Sequence, residues 1–326
     1  MTRETVAGAR IASGDGSPEV SFVVIAHNEE RHIAKTVESI LGQDTVQPFE
    51  VLVVDDGSLD RTAAIVSQLA AHNSGVRLVS HERNLGRGAA RATGVRAARG
   101  RWIAMVDADI VLPPAWWSTC ESWLDRYDVV GGTAVPDGDV SYLHRRFRLR
   151  PKVRSGTTTV TGNNGAYQAD ALARVTFDAE LREGEDVAIN HALVEAGFRL
   201  SGIPGLTVDH QESKSYVQSL RWLFTSGVGA TRQLARYRKL RGPDLAFVGL
   251  AAVSCLQVRR RSRRSGVIAP VVYIFAVATA HVYQRFEPDL RHADRFVGAV
   301  GADATLLVAY FCGRVWGVVR LLVPAR

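Results

Sequence analysis

Asp107-Ala108-Asp109 directly follows an apolar run, Trp102–Val106. In an extended segment, residues i and i+2 point the same way. Two carboxylates brought together at one strand end repel unless a cation lies between them. Mg2+ or Mn2+ suits carboxylate and phosphate oxygens, relieves that conflict and would neutralise a diphosphate. The bland alternative is a solvated turn.

Other acids stand at comparable places. Asp55-Asp56-Gly57-Ser58 ends the run Phe49–Val54. One Asp here can accept from a pyrimidine N–H or a ribose hydroxyl, while the other shapes the turn or caps a helix. Glu185-Asp186 precedes a helical pattern with Val187, Ile189 or Asn190, and Leu193–Val194 inward. A carboxylate there is either a dipole partner or a general base toward an acceptor hydroxyl. Asp209-His210 closes a strand-like stretch, Gly205–Val208. His210 is a metal ligand or a core hydrogen-bonder.

Neutral and basic groups complete the set. Thr161-Gly162-Asn163-Asn164-Gly165 is a plain turn or a floor for an acceptor. Asn84-Leu85-Gly86-Arg87-Gly88 has the wrong spacing and follows the wrong strand for a dinucleotide fingerprint. Its glycines allow a tight turn, with Arg87 available to a phosphate. Gln218, Arg221 and Trp222 share one helical face, where a guanidinium fits diphosphate oxygens and an indole stacks on a sugar. An ordinary amphipathic surface helix is the competing reading.

These residues need elements that hold them. Val20–Ala26 reads as a buried strand. A helix follows, with Asn28 as its cap, Glu29 and Glu30 in its first turn, and Ile33, Val37, Ile40 and Leu41 inward. Strands at Phe49–Val54, Val76–Val79 and Arg101–Val106 alternate with helices. One of these helices turns Ala64, Ile65, Leu69 and Ala70 inward; another spans Arg87–Arg99. Such alternation implies an α/β fold with a mainly parallel sheet flanked by helices. Ligands of such sheets bind beyond the carboxyl ends of the strands. That rule points to Ala26, Asn28 and Glu29, to Asp55 and Asp56, and to Asp107 and Asp109.

The chain has 326 residues and a formal net charge of +7. Anionic partners are favoured, but no recognised nucleic-acid-binding module accompanies the charge. The three cysteines lie far apart, so reduced structural thiols are expected rather than disulfides. Residues 1–18 read as a disordered polar tail.

In this order, Val23–Glu29, Val53–Ser58, Asn84–Gly94, Asp107–Asp109, Thr161–Tyr167, Gly184–Asp186 and Gln218–Trp222 resemble the family 2 glycosyltransferases of GT-A fold. The resemblance covers about Val20 to Trp222, and many members have Pro where this chain has Ala26. It implies a catalytic domain over 19–235 and inverting transfer from a nucleotide-diphosphate sugar, with Mn2+ or Mg2+ as cofactor. It also implies roles: Ala26, Asn28, Glu29, Asp55, Asp56, Arg87, Asp107, Arg221 and Trp222 for the donor; Asp107, Asp109 and His210 for metal; Asp186 as base. Asn163, Asn164, Glu185 and Gln218 would face the acceptor. A sugar nucleotidyltransferase would need a basic Gly-rich loop after the first strand, where His27-Asn28-Glu29 stands instead. A non-catalytic membrane adaptor would not need the acids.

Residues 236–326 differ in character. Leu245–Val258, Val267–Tyr283 and Ala304–Val323 are apolar, and Arg259, Arg260, Arg261, Arg263 and Arg264 separate the first two. The expectation is a membrane-associated helical region: an interfacial first segment, an Arg cluster on the cytoplasmic leaflet, then two spans. The alternatives are a monotopic arrangement with all three segments on or dipping into the membrane, and a buried helical bundle or oligomer interface. The catalytic part would face the cytoplasm at the cell membrane, with a membrane lipid or lipid-linked acceptor as partner. Arg146, Arg148, Arg150, Lys152 and Arg154 form either a charged edge strand or a patch for an anionic acceptor.

Overall fold

The computed structural model describes residues 17–136, 160–179, 181, 184–211, 215–238, 242–259, 265–284 and 293–322. The Arg146–Arg154 run and Arg260–Arg264 lie outside the described residues, as does most of the N-terminal tail. Described residues from 17 to 211 form one compact unit and those from 215 to 322 a second.

The first unit is built on one sheet. β1 (Val20–Ala26), β2 (Phe49–Asp55), β3 (Val76–Ser80) and β4 (Trp102–Asp107) run parallel, in spatial order β3-β2-β1-β4. β1 and β2 are buried along their whole length, which is why they read as unbroken apolar runs rather than alternating ones. The sheet continues through β7 (Asn164–Gln168), β6 (Val129–Pro136), β8 (Leu200–His210) and the short β5 (Ile110–Val111). β7 is antiparallel to β4 and β6, and β5 is antiparallel to β8.

Helices α1 (Ile33–Leu41), α2 (Thr62–His72) and α3 (Arg87–Ala97) connect the parallel strands. α4 (Trp116–Glu121) and α5 (Ala169–Arg174) follow, and α6 (Glu185–Glu195) precedes β8. One core contains Phe22, Phe49, Trp116 and Trp117 with Ile33, Val37 and Ile40 of α1. The other packs Ala90 and Ala92 of α3 and Ile189 and Leu193 of α6 against Val23, Leu52 and Met105.

Several local expectations are corrected. α1 begins at Ile33 with no side-chain cap, so Glu29 and Glu30 precede the helix. Asn28 is not its cap. It adopts a left-handed backbone, φ 58°, and its Oδ1 accepts from Leu59 N at 2.8 Å, tying the β1–α1 loop to the β2–α2 loop. In α2, Val66 is buried and Ala64 is exposed. In α6, Val194 is exposed, because the inward face runs through Glu185, Ala188, Ile189 and Leu193.

The second unit is helical: α7 (Tyr216–Tyr237), α8 (Gly242–Arg259), α9 (Ser265–Tyr283) and α10 (Ala293–Leu322). α7 and α10 pack backbone against backbone. A Cβ on Gly313 would fall 1.9 Å from the carbonyl oxygen of Phe224, so only glycine fits at that crossing. Arg314, which interrupts the apolar run, points inward and pairs with buried Asp244 at 3.2 Å. Tyr310 donates to the same carboxylate at 2.9 Å. Val271, Val272 and Phe275 of α9 and Val315, Val318 and Val319 of α10 are exposed. Among the described residues, Arg295–Leu322 alone is long and apolar enough to cross a membrane, by length and composition. The second expected span, Val267–Tyr283, falls in helix α9, whose apolar stretch Ala269–Tyr283 is shorter.

Candidate active site

Three adjacent strands deliver the first acids. Ala26 stands beside Asp55 in the β1–β2 register, and Ile25 beside Asp107 in the β1–β4 register. The Asp-Ala-Asp backbone is pinned from below. Ala108 N donates to Ile25 O at 3.1 Å, and Thr36 Oγ1 of α1 donates to Ala108 O at 2.7 Å. Ala108 is buried while Asp107 and Asp109 are partly exposed, the alternation expected of extended chain.

The two carboxylates then part company. Asp107 Oδ1 accepts from Arg91 Nη2 at 2.8 Å. Arg91 lies on α3, is 1% exposed, and also donates from Nε to Glu185 Oε1 at 3.2 Å. Burial works against its charge, but Asp107, then Glu185 and Asp186, outweigh burial and hold the guanidinium protonated. On the Asp107 side, then, a positive charge is supplied by a side chain of the protein itself.

Asp109 faces His210 instead, with Oδ2 and Nε2 3.0 Å apart. The β5–β8 pairing produces this contact by setting Ile110 opposite His210. A carboxylate and an imidazole side by side form a donor set that suits Mn2+ or Mg2+ when substrate phosphates complete the shell. Among the described residues no three His, Cys, Asp or Glu side chains form a ready-made cage. Metals bound together with a phosphate substrate commonly lack one. Glu29 lies within electrostatic range of this rim. Burial raises its carboxyl above the ordinary value, and Asp109 and Asp107 add to that rise against the hydrogen bond from His32.

Glu185 and Asp186 open α6. Glu185 is 3% exposed and turned toward Arg91. Burial pushes its carboxyl up, and Arg91 and Arg87 oppose that shift. Its neighbour Asp186 is half-buried, and its Oδ1 accepts from Val187 N at 2.8 Å. Gly162 closes this side: a Cβ there would come within 3.0 Å of Asp186 Cβ and 3.1 Å of Arg91 Nη2. The Thr161–Gly165 turn thus presses on both groups.

The Asp55-Asp56 pair divides its work. Asp56 accepts from Leu85 N and Gly86 N at 2.8 Å each, and its Oδ1 lies 2.8 Å from His81 Nδ1. It is the clasp of the β3–α3 loop. Asp55 Oδ1 is buried and has no hydrogen-bond partner among the described residues, so it is the member suited to a ligand. Asp56→Ala is expected to lower stability by about 2 kcal/mol, since the buried N–H of Gly86 and the partly buried N–H of Leu85 lose their acceptor. Asp55→Ala is expected to weaken nucleotide binding at nearly unchanged stability. Thermal unfolding and nucleotide titration of both variants check the division.

Residues 21–175 match the sequence profile described as Glycosyl transferase family 2. The succinoglycan biosynthesis protein ExoO of Rhizobium meliloti (strain 1021) is 30% identical over 273 residues, 77% of this chain and 74% of ExoO. The chain belongs to glycosyltransferase family 2. Dolichyl-phosphate beta-glucosyltransferase ALG5D of Trichomonas vaginalis is 33% identical over 141 residues, 39% of this chain and 43% of that protein. Among solved structures, the mannosyltransferase PcManGT from Pyrobaculum calidifontis, in complex with GDP-Man and Mn2+, aligns with a TM-score of 0.61 at 19% identity. It covers 96% of this chain and 91% of PcManGT, and the likeness is one of fold. The first unit has the GT-A architecture.

Within this glycosyltransferase some expected residues have other work. Asn164 is fully buried, and its Oδ1 accepts from Trp116 Nε1 at 2.7 Å. It braces β7 against α4 and is out of an acceptor's reach; Asn163 is its neighbour in the turn, with a buried Oδ1. Gln218 Oε1 accepts from Ser215 N at 2.7 Å in a capping box that starts α7. Arg221 and Trp222 are exposed one turn further along, in the second unit. Arg87 is exposed at the start of α3, four residues before Arg91. Arg91 itself was missed by the sequence reasoning. The available signal was one charge inside Gly88-Ala89-Ala90-Arg91-Ala92, a run whose small residues already imply tight packing on the sheet, where a charge needs a partner.

Proposed function

We propose that the chain is an inverting, metal-assisted glycosyltransferase. It would move a sugar from a nucleotide-diphosphate donor to a hydroxyl or phosphate of a lipid-linked or polysaccharide acceptor at the cytoplasmic membrane face. One observation carries this reading: acids from separate stretches of chain lie along one rim of the sheet, with Asp107, Glu185 and Asp186 around Arg91 and Asp109 beside His210. Asp55 suits the nucleoside base, the free oxygen of Asp107 the ribose, and Arg87 the phosphates. Asp109 and His210 would hold Mn2+ or Mg2+. When bound, that ion supplies Lewis-acid stabilisation of the charge on the departing diphosphate. Asp186 takes the proton from the acceptor hydroxyl. The acceptor oxygen then bonds to the anomeric carbon on the face opposite the breaking bond, and the configuration inverts.

The membrane half rests on the second unit. Arg314, Asp244 and Asp303 are buried in its helices α8 and α10, while valines, leucines and Phe275 are among the exposed residues of α9 and α10. Buried, internally paired charges beneath an apolar exterior on α9 and α10 suit a lipid environment. The names of two relatives, a succinoglycan biosynthesis protein and a dolichyl-phosphate glucosyltransferase, agree with polysaccharide or lipid-phosphate acceptors.

A donor screen tests the proposal. Nucleotide release is measured for UDP- and GDP-linked sugars with Mn2+, with and without extracted membrane lipid. One donor is expected to give release that rises at least about tenfold with lipid. Absence of release from every donor would refute the assignment.

A further inference from the structure

We infer that Arg91 is a positioning residue that locks the donor-side carboxylate Asp107 and the base-side pair Glu185-Asp186 into one unit. The inference rests on the assignment of Asp186 as the base. Three observations carry it. Arg91 uses two different nitrogens on two different elements, Nη2 to Asp107 at the end of β4 and Nε to Glu185 at the start of α6. Both Arg91 and Glu185 are almost wholly buried, so their ion pair is sealed from solvent, and the Asp107 pair is buried on its Arg91 side. Gly162 packs against Arg91 and Asp186, since a Cβ there would lie 3.0 Å from Asp186 Cβ and 3.1 Å from Arg91 Nη2, so the same turn borders the guanidinium and the base.

The planar fork explains the choice of residue. A guanidinium donates along fixed, divergent directions, whereas an ammonium is a single point on a flexible stem. Arg91 therefore sets an angle between Asp107 and Glu185 as well as a separation. Glu185 adjoins Asp186 in the chain, so pulling on Glu185 orients the first turn of α6, where Asp186 accepts from Val187 N. Asp107 is left with Oδ2 for the donor. Donor seating and base orientation thus pass through one side chain that touches neither substrate.

Steady-state kinetics of four variants test this, with folding checked by thermal unfolding. Arg91→Met is expected to raise the donor KM at least about fivefold and to lower kcat about 100-fold, in the range of losses seen when positioning groups are removed. Arg91→Lys should recover part of the KM, because charge persists, but little of the kcat, because the fork is gone. Glu185→Gln cuts only the base-side arm and should lower kcat about tenfold with donor KM unchanged. The double variant Arg91→Met/Glu185→Gln should be no worse than Arg91→Met alone, since both sit on one link. A merely structural role would lower active enzyme without this split and would give additive losses.

Turnover by folded Arg91→Met within twofold of wild type would overturn the inference. If Arg91→Met does not fold, Glu185→Gln decides, and wild-type kcat in it would overturn the inference equally. Asp186→Asn separates the two claims. If it retains wild-type turnover, the base assignment fails; if it is inactive while the Arg91 and Glu185 variants are normal, only the role of Arg91 fails.

Discussion

Asp186→Asn should lower the turnover of sugar transfer about 1000-fold while nucleotide and donor bind within about twofold of wild type. The substitution keeps the volume and removes the basicity. It leaves an oxygen able to accept from Val187 N, so the start of α6 should keep its geometry. Asp186 is the half-buried member of the pair, whereas Glu185 is sealed against Arg91. Only the former can meet a hydroxyl arriving from outside. Glu185→Gln should accordingly give a much smaller loss. Single-turnover transfer with a fixed donor separates this loss of chemistry from product release, and near-normal single-turnover rates in Asp186→Asn would remove it from the mechanism.

The second large effect concerns the cation. Chelation by EDTA should abolish transfer, and Mn2+ or Mg2+ should restore it. Asp109→Ala should raise the Mn2+ concentration needed for half-maximal activity at least about 100-fold, and His210→Ala about tenfold, because a carboxylate is the stronger ligand for a hard ion. Asp107→Asn is expected to behave differently. Its Oδ1 is engaged by Arg91, so the donor KM should rise while the Mn2+ requirement changes little. Electron paramagnetic resonance of Mn2+ in the presence of nucleoside diphosphate reads the ion directly. Equal Mn2+ binding by wild type and Asp109→Ala would exclude the Asp109–His210 pair as its site.

Much of this arrangement was legible in the chain because parallel sheets write plainly. β1 is Val20–Ala26 in sequence pattern and structure alike, since a strand buried on both faces is an uninterrupted β-branched run. The placement of acids at the ends of β1, β2 and β4 follows from the rule that such sheets bind ligands there. What remained hidden depended on contacts between distant residues. Asp55 and Asp56 are neighbours of the same type, and only the β3–α3 loop, folding back onto Asp56, tells them apart. Asn164 looked like a loop amide available to a substrate, but Trp116, 48 residues earlier, claims it. Asn28 had the right type for a cap and the wrong backbone, because its loop is committed to Leu59 rather than to α1.

The same reason left the protein partners of Asp-Ala-Asp unread. Spacing placed both carboxylates on one face, which is correct, and said nothing of Arg91 or His210, which draw them to different partners. In the second unit, apolar length alone favoured two spans. The structure adds that the long helix α10 carries Arg314 inward, neutralised from within by Asp244, which apolar length alone did not show.

The most direct measurement is a crystal structure of the chain with nucleoside diphosphate and Mn2+, with the ion located by its anomalous signal. The account predicts the ion between Asp109, His210 and the diphosphate, the base against Asp55, and Asp186 facing the β-phosphate from the open side. A nucleotide bound away from these residues, or an ion peak remote from Asp109, would contradict it.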